Sequence, residues 1–119
     1  MKGTTNLADE KINGVIDISS HVSPTRTGTI TRAIKMGNMI QICFKDCTLP
    51  SNNNYGAIVN IDADYRSNVA QYGMCAYYDS NSRGISGIVY ISPSQGALYY
   101  STAGTPNGQA ITGSIIYYL

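Results

Sequence analysis

From Thr29 to the C-terminus, every window long enough for a helix is interrupted by Gly, Pro, Asn or a β-branched residue. Such residues either lack helix propensity or compete with the helical backbone. What remains between the interruptions is a series of short runs of period two. "TITRAIKM" places Ile30, Arg32, Ile34 and Met36 at one parity. "MIQICF" places Ile40, Ile42 and Phe44 at one parity, and "GN" at 37–38 separates the two runs. Two alternating runs around two turn-prone residues predict a β-hairpin.

The same grammar continues along the chain. "TLPSNNNYG" at 48–56 reads as a loop, "AIVNI" as a strand and "DADYRSN" as a break. "VAQYGMCAYYD", "ISGIVYIS", "ALYYS" and "ITGSIIYYL" read as further strands. "SNSRG", "PSQG" and "TAGTPNGQ" turn the chain between them. About eight short strands with turn signals every eight to twelve residues predict an all-β, antiparallel, jelly-roll-like β-sandwich. Residues 1–22 differ. They hold Asp9, Glu10, Lys11 and Asp17 and the one helix-compatible stretch, weakened by Gly14. They are expected to form a neck or linker that orders beside a head domain spanning 23–119.

Composition narrows the function. The chain has 119 residues, enough for one domain with its own core. Charged residues make up 13%, about half the usual share, and the net charge is +1. There is no basic run to bind nucleic acid or an anionic membrane. No stretch reaches the ~18 apolar residues of a membrane span. The N-terminus lacks the apolar core of a signal peptide, so the chain is expected to be soluble as made and not exported by Sec.

Both parities of several strands are apolar. Tyr72, Met74 and Ala76 lie on one side of a strand whose other side carries Cys75 and Tyr77. A half-buried antiparallel strand should be polar on one side. Packing of the outer face against another copy would explain the pattern. A thick sandwich with surface tyrosines is the plainer alternative.

The order of pieces resembles a known family. A hairpin tipped by "GN" leads to an Asn-rich loop. Then come "IVNIDADYRSNV", a long strand, a hairpin at "PSQG" before "ALYY", and a closing "GSIIYYL". Over roughly 29–119 this set resembles the C-terminal head domain of phage tail fibre and receptor-binding proteins, best known from phages of Gram-positive bacteria. That family often has Leu-Pro, two small residues and Tyr-Arg-Pro at its middle motif. Ile61 to Ser67 takes that place here, with Tyr65 and Arg66 matching and Asp62 and Ser67 where proline is usual. Gly87 to Ile91, Gly96 to Tyr99, and the terminal Tyr117 and Tyr118 fit later family features. The resemblance implies a jelly roll, a homotrimer, and non-catalytic recognition of a saccharide on the host cell wall. It further implies a place at the virion tail tip, assembly in the bacterial cytoplasm, and upstream fibre or baseplate partners. A structural trimerisation cap or baseplate component is the alternative.

A saccharide binder needs aromatic faces for sugar C–H groups and polar groups for hydroxyls. "YYDSNSRG" offers Tyr78, Asp79, Asn81 and Arg83. "SNNNYG" offers Tyr55. In the plainer reading these residues only make turns and straddle strands. Asp62 and Asp64, roughly 6.6 Å apart if extended, could act as an acid pair or a cation site, but turn chemistry is the expected role. Ser20, His21 and Asp17 are too close in sequence to form a triad, and His21 is expected to be a solvated turn residue. Cys43, Cys47 and Cys75 are expected to be free and slow to react. On one extended strand Cys43 and Cys47 would lie roughly 13 Å apart, beyond disulfide reach. No cofactor, metal site or enzymatic constellation is expected.

Overall fold

The computed structural model describes residues 14–48, 55–78, 84–91, 97–101 and 110–119. It contains nine strands: β1 (Ile16–Asp17), β2 (Val22–Pro24), β3 (Thr29–Met36), β4 (Met39–Thr48), β5 (Tyr55–Ile61), β6 (Gln71–Tyr78), β7 (Gly84–Ile91), β8 (Ala97–Ser101) and β9 (Ala110–Tyr118). Two 3-10 turns, Ser19–His21 and Ala63–Tyr65, complete the described elements. Among the described residues no helix is long and apolar enough to cross a membrane.

All strand pairs are antiparallel, in the order β1-β3-β4-β9-β6-β7-β8-β5-β2. β1 and β2 stand at opposite ends of that order, yet only residues 18–21 separate them. Nine strands laid flat would span roughly 38 Å, whereas that link can reach at most about 17 Å fully extended. The sheet must therefore curl until its ends meet, and this makes it a β-sandwich. Inward side chains of β3, β4 and β9 (Ala33, Ile40, Ile42, Phe44, Ile111, Ile115, Tyr117) share one core with those of β5 and β7 (Ile58, Val59, Ile61, Val89, Ile91).

The joining link contributes to that core. Ile18 and Val22 are buried in it. The Ile18 amide donates to the Ala33 carbonyl, and the Asp62 amide donates to the His21 carbonyl. Within the link, the Ser19 amide lies 2.8 Å from Asp17 Oδ1 and holds that carboxyl below its ordinary value.

The "GN" hairpin is present, with Met36 facing Met39. Gly37 has φ +58° and Asn38 a negative φ, the pattern of a II′ turn with glycine first. Among the described residues three register slips depart from simple alternation, one of them on β5 between Ala57 and Val59. Ile30 faces Phe44 while Arg32 faces Cys43, so the register slips between them and Ile30 leaves the face of Arg32, Ile34 and Met36. The third slip, between Phe44 and Cys47, carries Asp46 at φ +57° and turns Cys47 into the core. Cys43 and Cys47 are both free thiols, Cys43 half-buried on the outer face.

Candidate functional site

The register separates the two ends of the sandwich. At one end Thr48 faces Ala110, Tyr77 faces Ile111, Tyr78 faces Gly84 and Thr29 faces Lys45. Tyr55 and Ser101 pair with each other somewhat below, where Ser101 also faces Ile88. The strand ends that border segments 49–54, 79–83 and 102–109 therefore share one end of the molecule, together with the turn at 25–28. At the other end lie the Gly37–Asn38 turn, both 3-10 turns, β1 and Leu119, whose amide donates to the Asn38 carbonyl.

Of the sequence-derived site residues, Asp79, Asn81 and Arg83 lie outside the described residues. Tyr78 and Tyr55 enter through their backbone pairing alone. Tyr78 closes β6 and Tyr55 opens β5, both toward this end, with Tyr55 four residues lower in the ladder at the level of Ile88 and Met74.

The described part of that end is built of short polar side chains on a rigid base. Thr27 and Thr48 share a hydrogen bond between their hydroxyls at 2.9 Å. Thr25 Oγ1 donates to the Ala57 carbonyl at 2.9 Å. The Asp46 amide donates to Thr112 Oγ1 at 3.1 Å. Gly28, at φ +128°, passes so close to β4 that an added Cβ would lie 2.6 Å from Cys47 Sγ and 2.8 Å from its Cα. Burial pushes the Cys47 thiol up to about 11. These contacts hold the 25–28 turn against the bulge at Asp46. Sequence spacing does not mark these threonines, since nothing in it shows that 25–28, 48 and 112 meet.

Asp62 and Asp64 lie at the opposite end. Asp62 precedes the 3-10 turn and Asp64 is inside it, so the pair does not share a strand face. His21 Nδ1 lies 2.9 Å from Asp62 Oδ2, and the His21 ring is 4.9 Å from the Tyr65 ring. Arg66 Nε donates to the Ile61 carbonyl at 2.8 Å. The Tyr65 carbonyl accepts the Tyr117 hydroxyl, and burial raises Tyr117 well above the usual phenol value. This is a fastening between the end of β5, the 18–21 link and the core. Among the described residues no three His, Cys, Asp or Glu side chains converge on one point.

A third feature is the outer face of the central strands. Met74 faces Ser114 on β9 and Ile88 on β7, while Tyr72 faces Tyr90. Tyr72 and Met74 are 65% and 67% exposed, and Ile88, Ile116 and Tyr118 are exposed beside them. The Tyr72 and Tyr90 rings lie 5.9 Å apart, and Tyr72, Gly73, Met74 and Ile88 line a shallow groove of about 200 Å³.

No protein-family model and no curated protein matches the chain. Its structure is similar to the crystal structure of the head domain of phage bIL170, presented among the receptor-binding domains of lactococcal phages. The TM-score is 0.60, over 84% of this chain and 90% of that one. The chain has the fold of a phage receptor-binding head. Identity is 15%, so the likeness fixes the architecture and not individual side chains.

Proposed function

We propose that this chain is the receptor-binding head of a phage tail fibre, which recognises a host cell-wall saccharide without catalysis. The fold likeness over 84% of the chain carries the reading. The topology supports it, because the bordering strand ends of three segments gather opposite the end where residues 14–17 join the sheet. Tyr55, Tyr78, Asp79, Asn81 and Arg83 are the proposed saccharide contacts. Residues 1–22, whose last part is built into the sandwich through β1, Ile18 and Val22, would join the head to upstream fibre or baseplate proteins, and the head would act as a homotrimer at the virion tail tip after assembly in the bacterial cytoplasm. Neutral sugars suit a chain with few charges, since hydroxyls need paired donors and acceptors and an apolar face.

A second reading is favoured by the exposed apolar outer face: a trimerisation cap or baseplate component with no host ligand of its own. Binding of the purified protein to intact host cells and to their extracted wall polysaccharide separates the two. Saturable binding that the free polysaccharide competes away supports the receptor-binding reading. A protein that assembles but ignores both cells and polysaccharide is the cap.

A further inference from the structure

The outer face of β9, β6 and β7 lies at the middle of the strand order, and among the described residues Tyr72, Met74, Ile88, Ile116 and Tyr118 stand exposed on it. Its described outward positions are Thr112, Ser114, Ile116, Tyr118, Tyr72, Met74, Ile88 and Tyr90, and none is charged. Met36, at the end of β3, extends the apolar area past Met39, which faces Tyr118. With full areas of about 200 Å² per large side chain, the exposed fractions of Met36, Tyr72, Met74, Ile88, Ile116 and Tyr118 amount to roughly 650 Å². A monomer's largest apolar patch is typically about 300–600 Å². A standard interface takes about 800 Å² from each partner; the half-buried Met39, Cys43 and Tyr90 around the patch add to it, and the exposed Arg32, whose Nε donates to Gln41 Oε1 at 3.0 Å, marks its charged rim on β3.

We infer that this face is where copies of the chain meet, with Tyr72, Met74 and Ile116 at its centre. The partner is a second copy because the area matches one subunit contact and the face demands no opposite charge. A face that buries no charge can meet its own kind without leaving an ion unpaired. The composition agrees, as charged residues make up only 13% of the chain. A cyclic trimer buries two different patches on each chain, and the inference deepens the homotrimer proposed above by naming one of them. It depends on that reading for the number of copies only.

The test is light-scattering mass at micromolar concentration. The parent should weigh a multiple of 12.8 kDa. Met74→Lys and Ile116→Lys should each raise the dissociation constant at least about tenfold, equivalent to 1.4 kcal/mol, with the far-UV circular dichroism of the parent. Val69→Lys, at an exposed apolar residue outside this face, should leave assembly unchanged. Methionine oxidation of the unaltered protein provides a readout that needs no variant. Met74 should resist peroxide where the protein is assembled and oxidise on dilution. A monomeric parent, lysine variants that assemble like the parent, or equal Met74 oxidation in both conditions would overturn the inference. Host-cell binding is measured on the same samples. Cell binding that persists while the face proves unimportant leaves the receptor reading standing, and assembly through this face without cell binding does the opposite.

Discussion

At Gly28 the backbone takes φ +128° and runs against Cys47, so a methyl group meets both an unfavourable dihedral and a wall of β4. Gly37 has φ +58° with nothing within 4 Å of its added Cβ. The two positions separate conformational strain from steric overlap. Gly37→Ala should cost about 1 kcal/mol, from the left-handed backbone alone. Gly28→Ala should cost at least about 2–3 kcal/mol more, since it also overpacks a site whose neighbour is partly backbone. Urea unfolding of both variants checks the difference, and equal losses would mean that Cys47 and the 46–47 backbone yield easily. Cys47 supplies a pH dependence whose sign follows from its burial. The unfolded thiol ionises near 9.0, whereas the folded one holds its proton to about 11. Below the lower value the stabilisation is complete. As pH rises from 9 toward 11, the unfolded state sheds a proton that the folded state keeps, and stability falls. Cys47→Ala should lower stability at neutral pH by leaving a small cavity and flatten the decline above pH 9. In a thiol-labelling experiment on the dissociated chain, half-buried Cys43 should react before Cys47, because the thiolate is the reactive form.

Strand elements were the most legible level of the chain. Ile40, Ile42 and Phe44 share a buried face as their spacing predicts, and "GN" makes the turn it resembles. The bulges were not legible, because alternation in "TITRAIKM" reads straight through Thr31 while the register skips it. A bulge is decided by what lies across the ladder, and one strand's own sequence does not carry that. The short strands within residues 16–24 are not legible for a related reason. Two- and three-residue strands have no periodicity to read, and their partners β3 and β5 are distant in sequence. The saccharide contacts at Tyr78, Asp79, Asn81, Arg83 and Tyr55 remain a proposal from residue types, and Asp79, Asn81 and Arg83 lie outside the described residues. That Tyr78 and Tyr55 belong to one end of the sheet required the strand order. Where the β6–β9 ladder stops at Met74 and Ser114, the Gln71 side chain continues it in place of backbone. Its Nε2 donates to the Tyr118 carbonyl at 2.7 Å, and its Oε1 accepts from the Tyr118 amide at 2.9 Å. The same Nε2 reaches buried Ser67 Oγ at 2.7 Å. Gly73 permits the close passage, as its Cβ would come within 2.8 Å of the Ser114 carbonyl oxygen. Gln71→Ala should cost about 1–3 kcal/mol and speed exchange of the Tyr118 amide at least about tenfold. Unchanged protection of that amide would show that the side-chain bridge contributes little.

On the proposed reading, the whole molecule divides its labour between two ends and a face. The end bordered by Thr48, Tyr55, Tyr78, Gly84 and Ala110 carries the proposed saccharide contacts, the apolar outer face carries proposed self-association, and the far end fastens the curled sheet. Because these tasks occupy different strand ends, variants should separate them. Asp79→Ala and Arg83→Ala should weaken host-cell binding at least about tenfold, or 1.4 kcal/mol, and leave assembly intact. Tyr72→Ala and Ile88→Ala, at exposed positions of the single chain, should weaken assembly before they affect folding. The fastening is the global requirement. Ile18 is 1% exposed and sits in the short link that joins the two ends of the strand order. Removing its side chain both empties core volume and loosens the closure, so Ile18→Ala should cost about 2–4 kcal/mol. A chain beginning at Ser23 loses Ile18, Val22 and the β1 pairing together and should unfold at a markedly lower temperature than one beginning at Gly14. If those two chains melt alike, the curl is held by the core strands alone, and residues 16–22 belong energetically to the neck.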